Sequence, residues 1–77
     1  MNYQDFVDIV RETIVSYASQ RYGEPLSIVD VNVIWNGQML DTRKAVALAG
    51  NRIYMVTYED GKFTTVQPYV KDIKEVE

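Results

Sequence analysis

Residues 52–65, RIYMVTYEDGKFTT, constrain the fold of this chain more than any other segment. Two runs rich in β-branched and aromatic residues flank Asp60-Gly61, a dipeptide typical of the tight turn in a β-hairpin. The first run, residues 53–58, contains no helix-breaking residue and is predicted to be a central strand. Antiparallel pairing across the turn predicts two residue pairs: Tyr58 with Phe63, and Glu59 with Lys62.

A second hairpin is predicted immediately before the first. Residues 44–49 are mostly apolar and are followed by the turn dipeptide Gly50-Asn51. Their alanines favour a helix, but so short a run between two turn signals does not make a stable one, so a strand is expected. A two-residue loop then predicts two more cross-strand pairs: Ala47 with Tyr54, and Leu48 with Ile53.

Residues 2–22 have the periodicity of one amphipathic helix. Asn2 is placed to cap its N-terminus, and Gly23 followed by Pro25 ends it. At about 1.5 Å per residue the helix is about 30 Å long, enough to lie across a sheet of several strands. Its apolar face occupies an arc of about 100° and includes these residues: Tyr3, Phe6, Val7, Val10, Ile14 and Tyr17.

Residues 28–35 alternate in the way expected of a half-buried strand. One side carries four of them: Val29, Val31, Val33 and Trp35. The C-terminal end of this strand has two alternatives. Asn36-Gly37 is a type I′ turn signal, whereas residues 38–40 would continue the strand past a bulge at Gly37, with the chain reversing at residues 41–43.

The last part of the chain is expected to leave the sheet. Pro68 ends strand pairing because it has no N–H to donate. After it, Val70, Ile73 and Val76 recur at intervals of three, which predicts one helical turn or a frayed tail. The predicted fold is therefore α+β in a single domain over residues 1–77: one N-terminal helix packed on an antiparallel four-stranded meander, with a short C-terminal tail.

The composition argues against catalysis and against a metal or cofactor site. The chain has 77 residues and contains neither Cys nor His, so the commonest general base and the strongest nucleophile are missing. Its four glycines are dispersed and form no phosphate-binding loop. A zinc site would need carboxylates alone, which is rare. We therefore expect a protein that is not an enzyme and that binds no cofactor, metal or small molecule.

The charge distribution argues against nucleic acid and membranes as partners. Eight Lys and Arg against eleven Asp and Glu give a net charge of −3, and the basic residues form no stripe. No apolar run approaches the roughly 18 residues that a membrane span needs. The N-terminal residues lack the basic and apolar regions of a signal peptide. A cytosolic location is expected.

Both faces of the predicted sheet carry large apolar side chains, but one helix covers only one face. If Tyr54, Val56 and Tyr58 face the helix, five apolar residues remain outside: Ile34, Val46, Leu48, Ile53 and Met55. With the faces reversed, four remain outside: Trp35, Tyr54, Val56 and Tyr58. Either patch predicts a protein interface. Its cover is the C-terminal tail folding back, a second copy of the chain in a homodimer, or another protein.

Several of these residues form a pattern that resembles a known family. The pattern comprises Val33-Ile34-Trp35, then Leu40, then Lys44-Ala45, then residues 54–58 and a turn before Lys62. It is similar to a family of short uncharacterised phage and prophage proteins of Gram-positive bacteria. The similarity covers roughly residues 29 to 71, together with an N-terminal helix of similar length.

The resemblance has three implications. In that family position 55 is typically acidic and position 56 apolar, which favours Tyr54, Val56 and Tyr58 as the helix-facing side. Relatives lack the Asn36-Gly37 dipeptide, which favours the longer first strand. Met55 departs from the acidic pattern and marks a surface particular to this protein. No catalytic residue is implied.

Function is therefore expected to be protein binding. The leading hypothesis is a small phage or prophage accessory protein that binds another protein or forms a homodimer. One alternative is an inhibitor of a host enzyme or defence system, acting through an acidic helix surface that includes Asp5, Asp8 and Glu12. Another is a minor virion or assembly component.

Overall fold

The computed structural model describes residues 3–59 and 69–76. Within them, one helix precedes a single antiparallel sheet with strand order β1-β2-β3-β4. The predicted α+β meander is confirmed. The elements are α1 Tyr3–Tyr22, a 3₁₀ turn Ile28–Asp30, β1 Val31–Met39, β2 Thr42–Ala49, β3 Arg52–Glu59 and β4 Tyr69–Val76.

The core lies between α1 and one face of the sheet, which we call the inner face. On this face β2 contributes three buried alanines and β3 contributes three larger residues that are fully buried. The small alanines leave room for the bulky helix side chains, and burial of each large side chain stabilises the fold by about 1.5–3 kcal/mol. The central members of this core are Phe6, Val10, Ile14, Ala45, Ala47, Ala49, Tyr54, Val56 and Tyr58.

Two aromatic contacts fix the helix along β3. The rings of Phe6 and Tyr58 meet edge to face with centroids 5.4 Å apart, and those of Tyr17 and Tyr54 do so at 5.8 Å. The Tyr58 hydroxyl also donates a hydrogen bond to Thr13 Oγ1 at 2.9 Å. The alternative in which Tyr54 and Tyr58 face outward is therefore wrong, because both side chains are fully buried against the helix.

The longer of the two predicted forms of β1 is confirmed. Asn36 and Gly37 pair with Ala45 and Lys44 inside the ladder, so they do not form a turn. The chain instead reverses at Leu40-Asp41, slightly earlier than residues 41–43. Pairing of both strands up to the loop leaves two residues to close the hairpin.

A bulge in β1 changes which face Trp35 occupies. Val33 pairs with Ala47, but Trp35 pairs with Val46, so Ile34 is an extra residue in β1. Because side chains alternate along a strand, one inserted residue moves Trp35 from the inner face to the opposite face. The predicted grouping on one side is also wrong for Val29, which lies in the 3₁₀ turn and is 87% exposed.

The C-terminal segment is a strand, so the predicted helical turn or tail is wrong. β4 pairs with the free edge of β3: Tyr58 faces Val70 and Glu59 faces Tyr69. The predicted pairing of Tyr58 with Phe63 and of Glu59 with Lys62 is therefore wrong. A bulge inserts one residue between Val70 and the next paired position, and this explains the interval of three between Val70 and Ile73. Several predicted features lie outside the described residues: the Asn2 cap, the Asp60-Gly61 turn, Lys62, Phe63 and Pro68.

The predicted pairs in the second hairpin are confirmed. Ala47 pairs with Tyr54 and Leu48 pairs with Ile53, across the Gly50-Asn51 loop. Gly50 has a φ of 60°, the left-handed conformation that the first residue of such a loop needs. This hairpin sets the register of the two central strands.

Candidate protein interface

The outer face of the sheet, on the side away from α1, has its side chains in four rows. Each row runs across the strands and takes one residue from each, from β1 to β4. The first row is Asn32, Leu48, Ile53 and Val76, and the second is Trp35, Val46, Met55 and Lys74. The third is Gly37, Lys44, Thr57 and Asp72, and the fourth is Met39, Thr42, Glu59 and Tyr69.

Most of the predicted interface residues lie together in the first two rows. Val46 pairs with Met55, and Leu48 pairs with Ile53. Leu48 and Ile53 are 38% and 37% exposed. No described element lies over this side of the sheet, since α1 packs on the inner face. The residues therefore form one exposed apolar surface, and its role as an interface stays a prediction.

Ile34 belongs to none of the four rows, whereas Trp35 belongs to the second row. Ile34 is the bulged residue of β1 and is 52% exposed. Trp35, 51% exposed, stands beside Val46 on the outer face. We define the outer patch as these five residues: Trp35, Val46, Leu48, Ile53 and Met55.

The indole of Trp35 lies over Gly37, its neighbour on the same face. A Cβ at Gly37 would approach Trp35 Cη2 and Cζ2 to 2.8 Å, closer than a side chain tolerates. The spacing of two residues between Trp35 and Gly37 is the sequence signal for this contact, since such residues share a strand face. The position of the pair on the outer face depends on the bulge in β1.

A groove of about 670 Å³ lies between Trp35 and the β1–β2 hairpin. Its edge is formed by exposed apolar side chains, with Met39 77% and Leu40 89% exposed. Leu40 has a φ of 53°, a conformation that costs a residue with a Cβ about 1–2 kcal/mol. The groove is lined by Trp35, Gly37, Gln38, Met39, Leu40, Asp41, Thr42, Lys44 and Glu59.

Charged residues occur next to the outer patch in a mixed arrangement. Lys74 Nζ lies 3.8 Å from Asp72 Oδ2 at the β4 edge. Within residues 3–59 and 69–76, Lys44 forms no ion pair within 4.0 Å. Lys44 is therefore a cation beside an apolar surface, available to an acidic group of a partner.

A polar cluster fixes the other end of the sheet to the helix. Arg52 Nη1 lies 2.9 Å from Glu24 Oε2, and Arg52 Nε lies 3.3 Å from Glu75 Oε1. Its guanidinium carbon lies 3.6 Å from the centre of the Tyr22 ring, and the Tyr22 hydroxyl donates to Glu75. These contacts connect the C-terminus of α1 to β3 and β4, so the cluster has a structural role.

Other kinds of site find no support in the part of the chain that the structure describes. Its acidic residues form no group of three that could hold a metal ion. Among the same residues, no helix has both the length and the apolar character to cross a membrane. The helix residues Asp5, Asp8 and Glu12 are exposed, as the predicted acidic surface requires.

Comparison with known proteins identifies no relative of this chain. No family model, curated protein or solved structure matches this chain. The resemblance to phage proteins therefore remains a prediction from the motif residues.

Proposed function

We propose that this chain is a small phage or prophage accessory protein that acts by protein binding through its outer sheet face, with a second copy of itself as the partner. The observation that carries the binding function is the outer patch, a contiguous set of large apolar side chains that no described element covers. Such patches on small proteins mark interaction surfaces. The phage origin is supported by the motif resemblance.

The size of the face favours a second copy as its cover. Four strands spaced by about 4.8 Å and eight residues rising by about 3.4 Å each make a face of about 19 by 27 Å. Its projected area of about 510 Å² is below the roughly 800 Å² of accessible surface that a stable interface buries on each partner, so a partner must cover the whole face and not the patch alone. The same face of a second copy has matching dimensions and matching apolar content.

The small size of the chain gives association a second benefit. A domain of this length buries only about 60% of the surface that its unfolded chain exposes, and its stability is marginal. Covering the outer patch removes further apolar area from water, and so stabilises the folded state more as the protein concentration rises. A homodimer would therefore be more stable than the isolated chain.

Sedimentation at high micromolar concentration tests this proposal. We expect a dimer for the natural chain and a monomer for Met55→Glu, because a carboxylate in the centre of the patch resists burial. Val29→Glu is the matched control, since Val29 is 87% exposed and lies in the 3₁₀ turn, away from the outer face. A natural chain that stays strictly monomeric would exclude the homodimer. A Met55→Glu variant that remains dimeric would show that another surface is used.

A second candidate function rests on the exposed acidic side of α1. Asp5, Asp8 and Glu12 are spaced so that they lie along one side of the helix, away from the core. Such a surface suits competition with nucleic acid for a host enzyme or defence protein. Capture of a nucleic-acid enzyme from host lysate, abolished by Asp8→Lys with Glu12→Lys, is the expected result. Capture that survives this charge reversal would exclude the acidic surface.

A further inference from the structure

The four rows of the outer face restrict how two copies can pack face to face, an inference that rests on the proposed homodimer. In a two-fold dimer of stacked sheets, the axis lies in the plane between them. For aligned packing, in which the strands of the two sheets lie within about 30° of one another, this axis runs either across the strands or along them. The two axes bring different rows and strands together.

An axis across the strands exchanges the rows. The second row then lies on the third row of the partner, and the first lies on the fourth. Val46 would cover the partner's Lys44, and Leu48 would cover the partner's Thr42. This arrangement buries an ammonium group against an aliphatic side chain without an acidic group beside it, which is unfavourable.

An axis along the strands, between β2 and β3, keeps each row on itself. It places β2 on the partner's β3 and β1 on the partner's β4. Val46 then contacts the partner's Met55, and Leu48 contacts the partner's Ile53. Because each contact occurs twice, the first two rows contribute only apolar pairs where β2 lies on the partner's β3.

The same axis also matches the charged residues. In the third row Lys44 lies on the partner's Thr57, one strand away from the partner's Asp72. In the second row Trp35 lies on the partner's Lys74, where an ammonium group and an indole ring attract each other. The cation that has no ion pair among the described residues thus acquires an acidic neighbour.

The fourth row brings a protruding residue to a concave surface. Tyr69 is 64% exposed, and on this axis it lies on the partner's Met39, at the edge of the groove. We propose that two copies pack face to face about a two-fold axis parallel to the strands, between β2 and β3, and that Tyr69 of each copy enters the groove beside Trp35 and Leu40 of the other.

Cross-linking of introduced cysteines tests the axis, because the chain has no cysteine of its own. Met39→Cys and Tyr69→Cys proteins are mixed and treated with a bis-maleimide that spans about 10 Å, the separation of packed sheets. We expect a cross-link between the two variants in large excess over links between identical ones. Each variant carries a single cysteine, so every cross-linked product joins two chains and reports on the dimer.

Met39→Cys mixed with Val76→Cys is the matched control. Val76 lies on the same strand as Tyr69 but in the first row, about 20 Å away along the strand, and no cross-link is expected. Sedimentation of each variant separates the two possible failures. A dimer without the Met39–Tyr69 cross-link, or one in which identical Met39→Cys chains are joined, overturns the axis and leaves the proposed function standing. A monomeric natural chain overturns the proposed function itself.

A charge exchange keeps the axis testable if either cysteine variant fails to associate. Lys44→Glu alone places two acidic groups together at the interface, and Asp72→Lys alone places two cations together. We expect each variant to associate about tenfold more weakly than the natural chain. Mixed in equal amounts, they form a dimer in which both contacts join opposite charges, and association recovers. Weakened association that mixing does not restore would contradict this axis.

Discussion

The two ends of the sheet use loops of the same length for different purposes. At the Gly50 end, Gly50-Asn51 joins β2 to β3, and at the Leu40 end, Leu40-Asp41 joins β1 to β2. Both loops have a positive φ at the first residue, 60° at Gly50 and 53° at Leu40. Glycine adopts this conformation without steric strain, but leucine does not. One turn is therefore relaxed and the other is strained.

The contacts around the two loops also differ. At the Gly50 end, Arg52 joins Glu24, Glu75 and the Tyr22 ring, so helix and sheet are held together by polar contacts. At the Leu40 end the apolar side chains of Met39 and Leu40 are exposed beside the groove. Backbone strain and exposed apolar groups are common where a protein binds. The polar contacts at the Gly50 end hold the helix to the sheet, and the exposed apolar groups at the Leu40 end extend the surface that we propose as the interface.

The largest expected effect concerns the core tyrosine nearest the Leu40 end. Burial raises the pKa of Tyr58 to about 12, although its hydrogen bond with Thr13 acts in the opposite direction. Between about pH 10 and 12 the unfolded chain has therefore lost this proton and the folded chain has kept it. The free energy of unfolding should fall over that range, by up to about 3 kcal/mol.

Urea denaturation of the natural chain and of Tyr58→Phe at several alkaline pH values measures this effect. Loss of the hydrogen bond should lower the free energy of unfolding of the variant by about 1 kcal/mol at neutral pH. Above pH 10 the stability of the variant should depend less on pH than that of the natural chain. Tyr54→Phe is the control: Tyr54 is equally buried, but its hydroxyl has no hydrogen-bond partner among the described residues. Equal losses at neutral pH for the two variants would contradict the role given to Thr13.

Gly50→Ala should destabilise the chain by about 1–2 kcal/mol, because alanine is strained at this φ. The new Cβ would also collide with the Glu24 carboxylate, which must then leave Arg52. Gly23→Ala separates the two causes, since Gly23 has a φ of 65° and no atom within 4 Å of the added Cβ. Thermal unfolding should show the larger loss for Gly50→Ala. Equal losses would mean that the Glu24 contact is unimportant.

Leu40→Gly should raise the free energy of unfolding, whereas Gly50→Ala should lower it. Relief of the left-handed strain exceeds the added freedom of glycine in the unfolded chain, and almost no contact is lost, so we expect a gain of about 0.5–1 kcal/mol. Urea denaturation at concentrations low enough to favour the monomer measures it. The same variant should self-associate more weakly, because Leu40 lines the groove. A loss of stability would show that the strain is compensated locally.

Gly37→Ala should have the smallest effect on stability, below about 1 kcal/mol, because the site is at the surface. The added Cβ must displace the Trp35 indole, and Trp35 is the sole tryptophan of the chain. Its fluorescence should therefore shift to longer wavelength as the ring moves into water. Asn36→Ala, one residue earlier in the strand, should leave the emission unchanged. An unchanged spectrum for Gly37→Ala would place the indole elsewhere.

Local patterns in the sequence predicted much of this molecule. The helix followed from its periodicity and terminal signals, and the register of β2 and β3 followed from the two-residue Gly50-Asn51 loop. The placement of Val46, Leu48, Ile53 and Met55 on one face then followed from alternation along paired strands, and the motif resemblance favoured that face as the outer one. Each of these features depends on residues close together in the chain, which is why the sequence alone determined them.

Tertiary structure decided the remaining features. The bulge at Ile34 arises in the pairing of β1 with β2, and it moved Trp35 to the outer patch and created the groove beside it. The choice of β4 as the strand beside β3 depends on competition between segments for one free edge. The bulge in β4 spaces its apolar residues three apart, an interval that resembles a helical turn. Both outcomes are set by contacts between residues that are distant in the chain, and local sequence patterns do not reveal such contacts.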